Sequence, residues 1–166
     1  MTDSLRIIIT GGTFDKDYDP LSGRMTFRDT HLGQILREVR LTLPVELEIN
    51  QLTDSLDMSE AQRSGVVEAC ERAAERWIVI THGTDTMTET ARLLHDRRME
   101  KTIVLTGAMI PYSVSGSDAV FNLGAAVSAV QLLDPGVYVV MNGRVFAADR
   151  VRKDTARGVF EVIAPD

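Results

Sequence analysis

Cysteine is almost missing from this sequence. Cys70 is the only one in 166 residues, so no disulfide can close within the chain. It lies in "SGVVEACERAAE", where Val66, Val67, Cys70 and Ala73 recur at helical spacing, the pattern of a buried thiol and not of a nucleophile. Histidine is scarce too. His31, His82 and His95 share no ligand spacing with one another or with Cys70, so no metal site is expected, and His82 beside Gly83 reads as structural. Basic residues are in deficit, 18 against 24 acids for a net charge of −6, and they form no long run. Nucleic acid and anionic membranes are therefore not expected as partners. No apolar run approaches the roughly 18 residues that a membrane helix needs, and no charged-then-apolar leader opens the sequence. The expected location is the cytoplasm.

What is present is the composition of a globular domain: 44% hydrophobic and 25% charged residues, in a length that suits one domain over 1–166. Apolar runs alternate with helical patterns. "LRIIIT" (5–10), "VELEINQL" (45–52), "WIVITHG" (77–83), "KTIVLTGAM" (101–109) and "VYVVMNG" (137–143) read as strands, and "RVFAA" (144–148) and "GVFEVI" (158–163) as further short ones. Helices are expected over 31–40, from the capping-box pattern at Ser59–Gln62 to about Arg76, from a second such pattern at Thr86–Glu89 to about Arg98, and over 118–133. Nearly continuous apolar strands with helices between them predict an α/β fold: a single three-layer domain whose mostly parallel sheet carries helices on both faces. In such folds the functional loops lie at the carboxyl ends of the strands. "TGGTF", "THGTDT" and "TGAMIP" all fall there.

"IIITGGTFDKDYD" (7–19) is not a phosphate cradle. No Lys-Ser or Lys-Thr follows Gly12, no three spaced glycines lead into a helix, and Asp15, Asp17 and Asp19 would repel phosphate. A plain turn and a turn that presents the Thr13 hydroxyl both fit. The second strand end, "THGTDTMTETA", carries more hydroxyl and carboxylate groups than a helix cap requires, and the helix start there favours a bound carboxylate. With no metal pattern and no Ser-His-Asp spacing, a reactive hydroxyl needs another base. A lysine removed from water can serve, and Lys153 lies beyond the fifth strand.

"TGGTF", "DSLDM" (54–58), "THGTDTMTETA" (81–91), "GAMIPYSVSGSDAVFNLGAAVSA" (107–129) and "VVMNGRV" (139–145), followed by Lys153, resemble the bacterial-type L-asparaginase family in order and spacing across almost the whole chain. The resemblance implies a parallel α/β domain that hydrolyses L-asparagine to L-aspartate and ammonia through a threonine acyl-enzyme, with no cofactor. It assigns the nucleophile to Thr13, an assisting tyrosine to Tyr18, and a second catalytic set to Thr84, Asp85 and Lys153. Substrate contacts fall on Ser55 with Asp54 beside it, on the Gly83–Thr84 turn and on Asp85. The other readings are a related amidohydrolase acting on glutamine or another small amide, and a non-catalytic small-molecule-binding subunit. Two positions depart from the family pattern. Leu56 stands where many long members carry a glutamine, and the sequence stops at Asp166, where long members continue into a second domain. Two covers for the site are expected. One is the acidic segment 14–30, read as a mobile loop. The other is a second copy in a homodimer or higher oligomer, packed through 118–133 with Phe121, Leu123, Val127 and Val130 as its apolar surface.

Overall fold

Ile7, Ile8 and Ile9 put apolar side chains on both faces of one strand, so the sheet they join must be covered twice. In the computed structural model, which describes residues 3–164, it is. Residues 1–2 and 165–166 of the expected 1–166 domain lie outside the described residues. Strands β1 (Leu5–Gly11), β4 (Val45–Thr53), β5 (Trp77–Thr81), β6 (Thr102–Thr106), β7 (Gly136–Met141) and β8 (Arg144–Ala147) form one sheet in the order β4-β1-β5-β6-β7-β8. All neighbours are parallel except β8, which returns antiparallel along β7. Ile8, Ile78, Ile80, Ile103 and Leu105 bury against α2 (Glu60–Arg72) and α3 (Met87–Asp96). Ile7, Ile9, Val79 and Val104 bury against α1 (Leu32–Glu38) and α4 (Ala119–Leu132). The expected three-layer, mostly parallel architecture is thus observed.

The strand ends that form the functional edge are fixed by buried threonines. Thr10 Oγ1 donates to Thr81 O at 2.8 Å, and Thr106 Oγ1 donates to Val140 O at 2.8 Å. Each hydroxyl is satisfied within the protein and ties one strand end to its neighbour. Beyond β5, His82 is fully buried. Its Nδ1–H donates to Gly83 O at 2.8 Å, and its Nε2 accepts from Thr90 Oγ1 at 2.8 Å, so the neutral imidazole is the form that satisfies both partners. Burial, opposed by the Gly83 bond and aided by nearby Arg63, pulls its pKa down to about 4. Cys70 is buried in α2, and burial pushes its thiol up to about 12, which suits the structural role read from its spacing.

Several expectations require correction. The Ser59–Gln62 capping box is present, but α2 stops at Arg72 and not near Arg76. Lys101 Nζ reaches the carbonyls of Cys70 (2.8 Å) and Ala73, and Glu75 turns away to pair with Arg6. Thr86 does not build a capping box: its hydroxyl donates to Ser55 O at 2.9 Å, so no side-chain cap forms on α3. That helix ends at Asp96 and not at Arg98, which adopts a positive φ of 50°. Segment 14–30 is no irregular loop. It holds a 3-10 turn (Thr13–Asp15) and a hairpin of β2 (Asp17–Asp19) and β3 (Arg24–Thr26). Buried Asp15 closes the segment on itself by accepting from His31 N at 2.8 Å and Thr30 Oγ1 at 3.1 Å. On α4, Leu123, Val127 and Val130 are consumed by the core, whereas Phe121 stays 64% exposed. The chain after the sheet forms a second hairpin, β9 (Val151–Asp154) with β10 (Val159–Val162), and Lys153 rides on β9. Among the described residues, no helix is long and apolar enough to cross a membrane.

Gly12 has φ 68° and ψ −175°, a region open essentially only to glycine, and a Cβ there would sit 2.5 Å from Gly83 Cα. Gly12→Ala is expected to destabilise the fold by about 3 kcal/mol, combining strain and overlap. Urea denaturation checks this, and a change within about 0.5 kcal/mol of wild type would contradict the close approach. His82 supplies a pH prediction. Between pH 6.5 and 4 the unfolded chain protonates this imidazole and the folded chain does not, so stability falls as pH drops through that window. The loss reaches ~3 kcal/mol at its acid end. His82→Gln, which keeps a donor and an acceptor but cannot titrate, should lose about that much less over the same interval. Equal acid slopes in the two proteins would show that His82 is not buried neutral.

Candidate active site

Three backbone segments meet at the carboxyl edge of β4, β1 and β5. Gly12 N–H donates to Thr53 O at 3.0 Å, which holds the turn after β1 against the end of β4. Gly12 lies directly on Gly83, and Gly83 on Ser55: a Cβ on Gly83 would meet Ser55 Cβ at 2.5 Å. Ser55 is in turn fastened to the start of α3, because its Oγ accepts from Thr86 N at 3.2 Å. The absence of side chains at Gly12 and Gly83 therefore stacks the Thr13, Thr84 and Ser55 turns side by side.

Thr13 follows this stack at the first position of the 3-10 turn. It is half-buried, and its hydroxyl has no hydrogen-bond partner among the described residues. Thr84 is 6% exposed. Lys153 Nζ donates to Thr84 Oγ1 at 2.8 Å and to Asp85 Oδ1 at 2.8 Å, joining residues 69 and 68 positions apart. The Lys153 side chain is only 10% exposed and that of Asp85 is 40% exposed, so the ion pair is shielded on its lysine side. A polar depression of about 330 Å³, lined by Arg152, Lys153, Asp154, Thr155 and Glu161, opens beside it. A hydroxyl, an ammonium and a carboxylate in contact can exchange a proton without a metal or histidine. Among the described residues, no three His, Cys, Asp or Glu side chains gather as a metal-holding group.

The remaining expected residues divide. Ser55 and Gly83 belong to the stack, and Asp54 stands beside them. Burial would raise the Asp54 carboxyl, but the Lys16 ammonium and the Leu56 N–H outweigh it and hold the group below the usual carboxylate range. Tyr18 sits on β2, 59% exposed and opposite Met25 in the hairpin register, and among the described residues no hydrogen bond joins it to the cluster. Sequence reasoning missed Lys16, which ends the turn begun by Thr13 and ion-pairs with Asp54. A cation alone among Asp15, Asp17 and Asp19 was the available signal.

Residues 4–163 match the family model described as "Asparaginase, N-terminal". The chain is 34% identical over 125 residues to the human "60 kDa lysophospholipase", covering 72% of this chain and 22% of that protein. It is 36% identical over 113 residues to the "Glutaminase-asparaginase" of Acinetobacter glutaminasificans, covering 66% of this chain and 34% of that one. Its fold superposes on the thermostable L-asparaginase from Thermococcus kodakarensis with a TM-score of 0.83 at 28% identity, covering 98% of this chain and 52% of that structure. The chain thus spans about half of that structure, and less of the two relatives. With the turns after β1 and β5 stacked as described and nearly every residue matched by the family model, the chain belongs to the asparaginase family.

Proposed function

We propose that this domain is the catalytic unit of an L-asparagine amidohydrolase that works through a threonine acyl-enzyme. The observation that carries the reading is Lys153, shielded from solvent and 2.8 Å from both Thr84 Oγ1 and Asp85 Oδ1. Thr13 Oγ1 attacks the side-chain carboxamide carbon of asparagine, assisted by Tyr18 from its hairpin. Backbone N–H groups of the Gly83–Thr84 turn hold the oxyanion, each contributing roughly 3–4 kcal/mol in comparable sites. The hydroxyl proton is delivered to the amide nitrogen, the C–N bond breaks, and ammonia leaves a β-aspartyl ester on Thr13. Water activated by the Thr84–Lys153–Asp85 set then cleaves the ester, releasing L-aspartate and restoring the Thr13 hydroxyl. Ser55 accepts from Thr86 N, which leaves its own hydrogen free to donate to the substrate carboxylate. Asp85 engages Lys153 through Oδ1, and its other oxygen receives the α-ammonium.

A second reading, an amidohydrolase that also takes glutamine, is favoured by the similarity to a glutaminase-asparaginase and by Leu56, 71% exposed beside Ser55. Ammonia release from L-asparagine, L-glutamine and a no-substrate control separates the two.

Thr13→Ala is expected to lower kcat/KM by at least about a thousandfold with the melting temperature unchanged, while Thr13→Ser keeps part of the rate. A Thr13→Ala enzyme above a tenth of the wild-type rate would remove Thr13 as nucleophile. Lys153→Arg should also be poor, because guanidinium does not give up its proton. Normal turnover in that variant would reduce Lys153 to an electrostatic role. We further propose a homodimer or higher oligomer. It is supported by exposed Phe121, which lies against Gly143, and by neighbouring exposed Val120 and Val145. Sedimentation at micromolar concentration should find the assembly in the wild type and a monomer in Phe121→Asp. A monomeric wild type with full activity would refute it.

A further inference from the structure

We propose that Lys16 is a specificity-determining residue: its ammonium receives the α-carboxylate of the substrate, and Asp54 holds it in place. This deepens the reading of the site as one for an α-amino acid amide and rests on that reading. Lys16 closes the turn that Thr13 opens, its N–H donating to Thr13 O at 3.2 Å, and its own carbonyl accepts from Ser113 Oγ at 2.8 Å. Its ammonium pairs with Asp54 Oδ2, next in sequence to Ser55, and lies 5.8 Å from the centre of the Phe27 ring. The positive charge is therefore bracketed by the turn carrying the nucleophile and the turn carrying Ser55.

Charge accounting singles it out. Asp15, Asp17, Asp54 and Asp85 all lie on these turns or on the segment that follows Thr13, so a carboxylate held by the Ser55 hydroxyl gains from a cation that offsets their repulsion. Lys153 is committed to Thr84 and Asp85. Arg63 is committed to Thr86 and Thr90. Lys16 has three N–H donors, and among the described residues only Asp54 accepts from one of them. Its side chain is partly open to solvent, at 19%. Asp54 is itself held by Leu56 N at 3.1 Å, so it fixes the lysine without using up its donors. The alternative is that the pair only fastens the base of the β2–β3 hairpin, in which case its loss would weaken every ligand alike.

The test compares L-aspartate with β-alanine, which keeps the ammonium and the distal carboxylate but lacks the α-carboxylate. NMR titrations are run on the wild-type chain, Lys16→Met and Lys16→Arg. In parallel, KM is measured for L-asparagine and for 3-aminopropanamide, which carries the same deletion. The wild type is expected to prefer L-aspartate by about tenfold or more, the scale of one charge-assisted contact. Lys16→Met should lose that preference by weakening L-aspartate alone, should raise KM for asparagine and not for 3-aminopropanamide, and Lys16→Arg should recover most of the difference. Equal weakening of both ligands, or no preference in the wild type, would overturn the proposal. A wild type that shows the preference but releases no ammonia would refute the catalytic reading and leave Lys16 in its role. If Lys16→Met does not fold, Lys16→Gln takes its place. Failure of both to fold would make the lysine structural and overturn its assignment to the substrate.

Discussion

The contact on which this site depends is backbone against backbone. Gly12 rests on Gly83, and Gly83 on Ser55, at distances that leave no room for a Cβ on either glycine. Parallel strands β1 and β5 bring the two glycine turns to the same edge, and the missing side chains let the turns touch. Any wider spacing between the two glycines would move the turn that carries Thr13 away from the turn that carries Thr84. The buried threonines at the strand ends serve the same purpose, since they fix how far each strand advances toward that edge.

Around this stack the charges are sorted by burial. His82, next in sequence to Gly83, is kept neutral by desolvation and by two hydrogen bonds, so it adds no second charge near Arg63. Asp15 is buried as well. Desolvation raises its carboxyl, and the His31 N–H and the Thr30 hydroxyl pull the other way, which anchors the start of the hairpin that carries Tyr18. The two lysines near the turns hold different commitments. Lys153 is shared between a hydroxyl and a carboxylate, whereas Lys16 is held by a carboxylate alone.

Much of the fold was legible in the sequence. The isoleucine and valine runs marked the strands, and the helical spacing in 118–133 marked α4. The misreadings have physical causes. Thr86 and Glu89 had the spacing of a capping box, but a tertiary partner, Ser55 O, took the hydroxyl first. Residues 17–26 form strands of three residues, too short for an alternation to register, and their hairpin is held by Asp15 and His31 across the segment. Leu123, Val127 and Val130 were apolar for the core and not for a partner, a distinction that helical periodicity cannot make when a helix is apolar nearly all round.

By itself, the sequence determined the order of elements, the parallel sheet, and which turns would stand at its carboxyl edge, because strand and helix periodicity are local and every apolar face must find cover. The resemblance had grouped Lys153 with Thr84, but only the tertiary structure decided how a lysine on a short hairpin outside the sheet reaches back across 69 positions to 2.8 Å from that hydroxyl, and that Lys16 would pair with Asp54. An ion pair leaves no periodic trace along a chain. Its partners are chosen by where the folded turns stop, and in this protein that is set by two glycines pressed together.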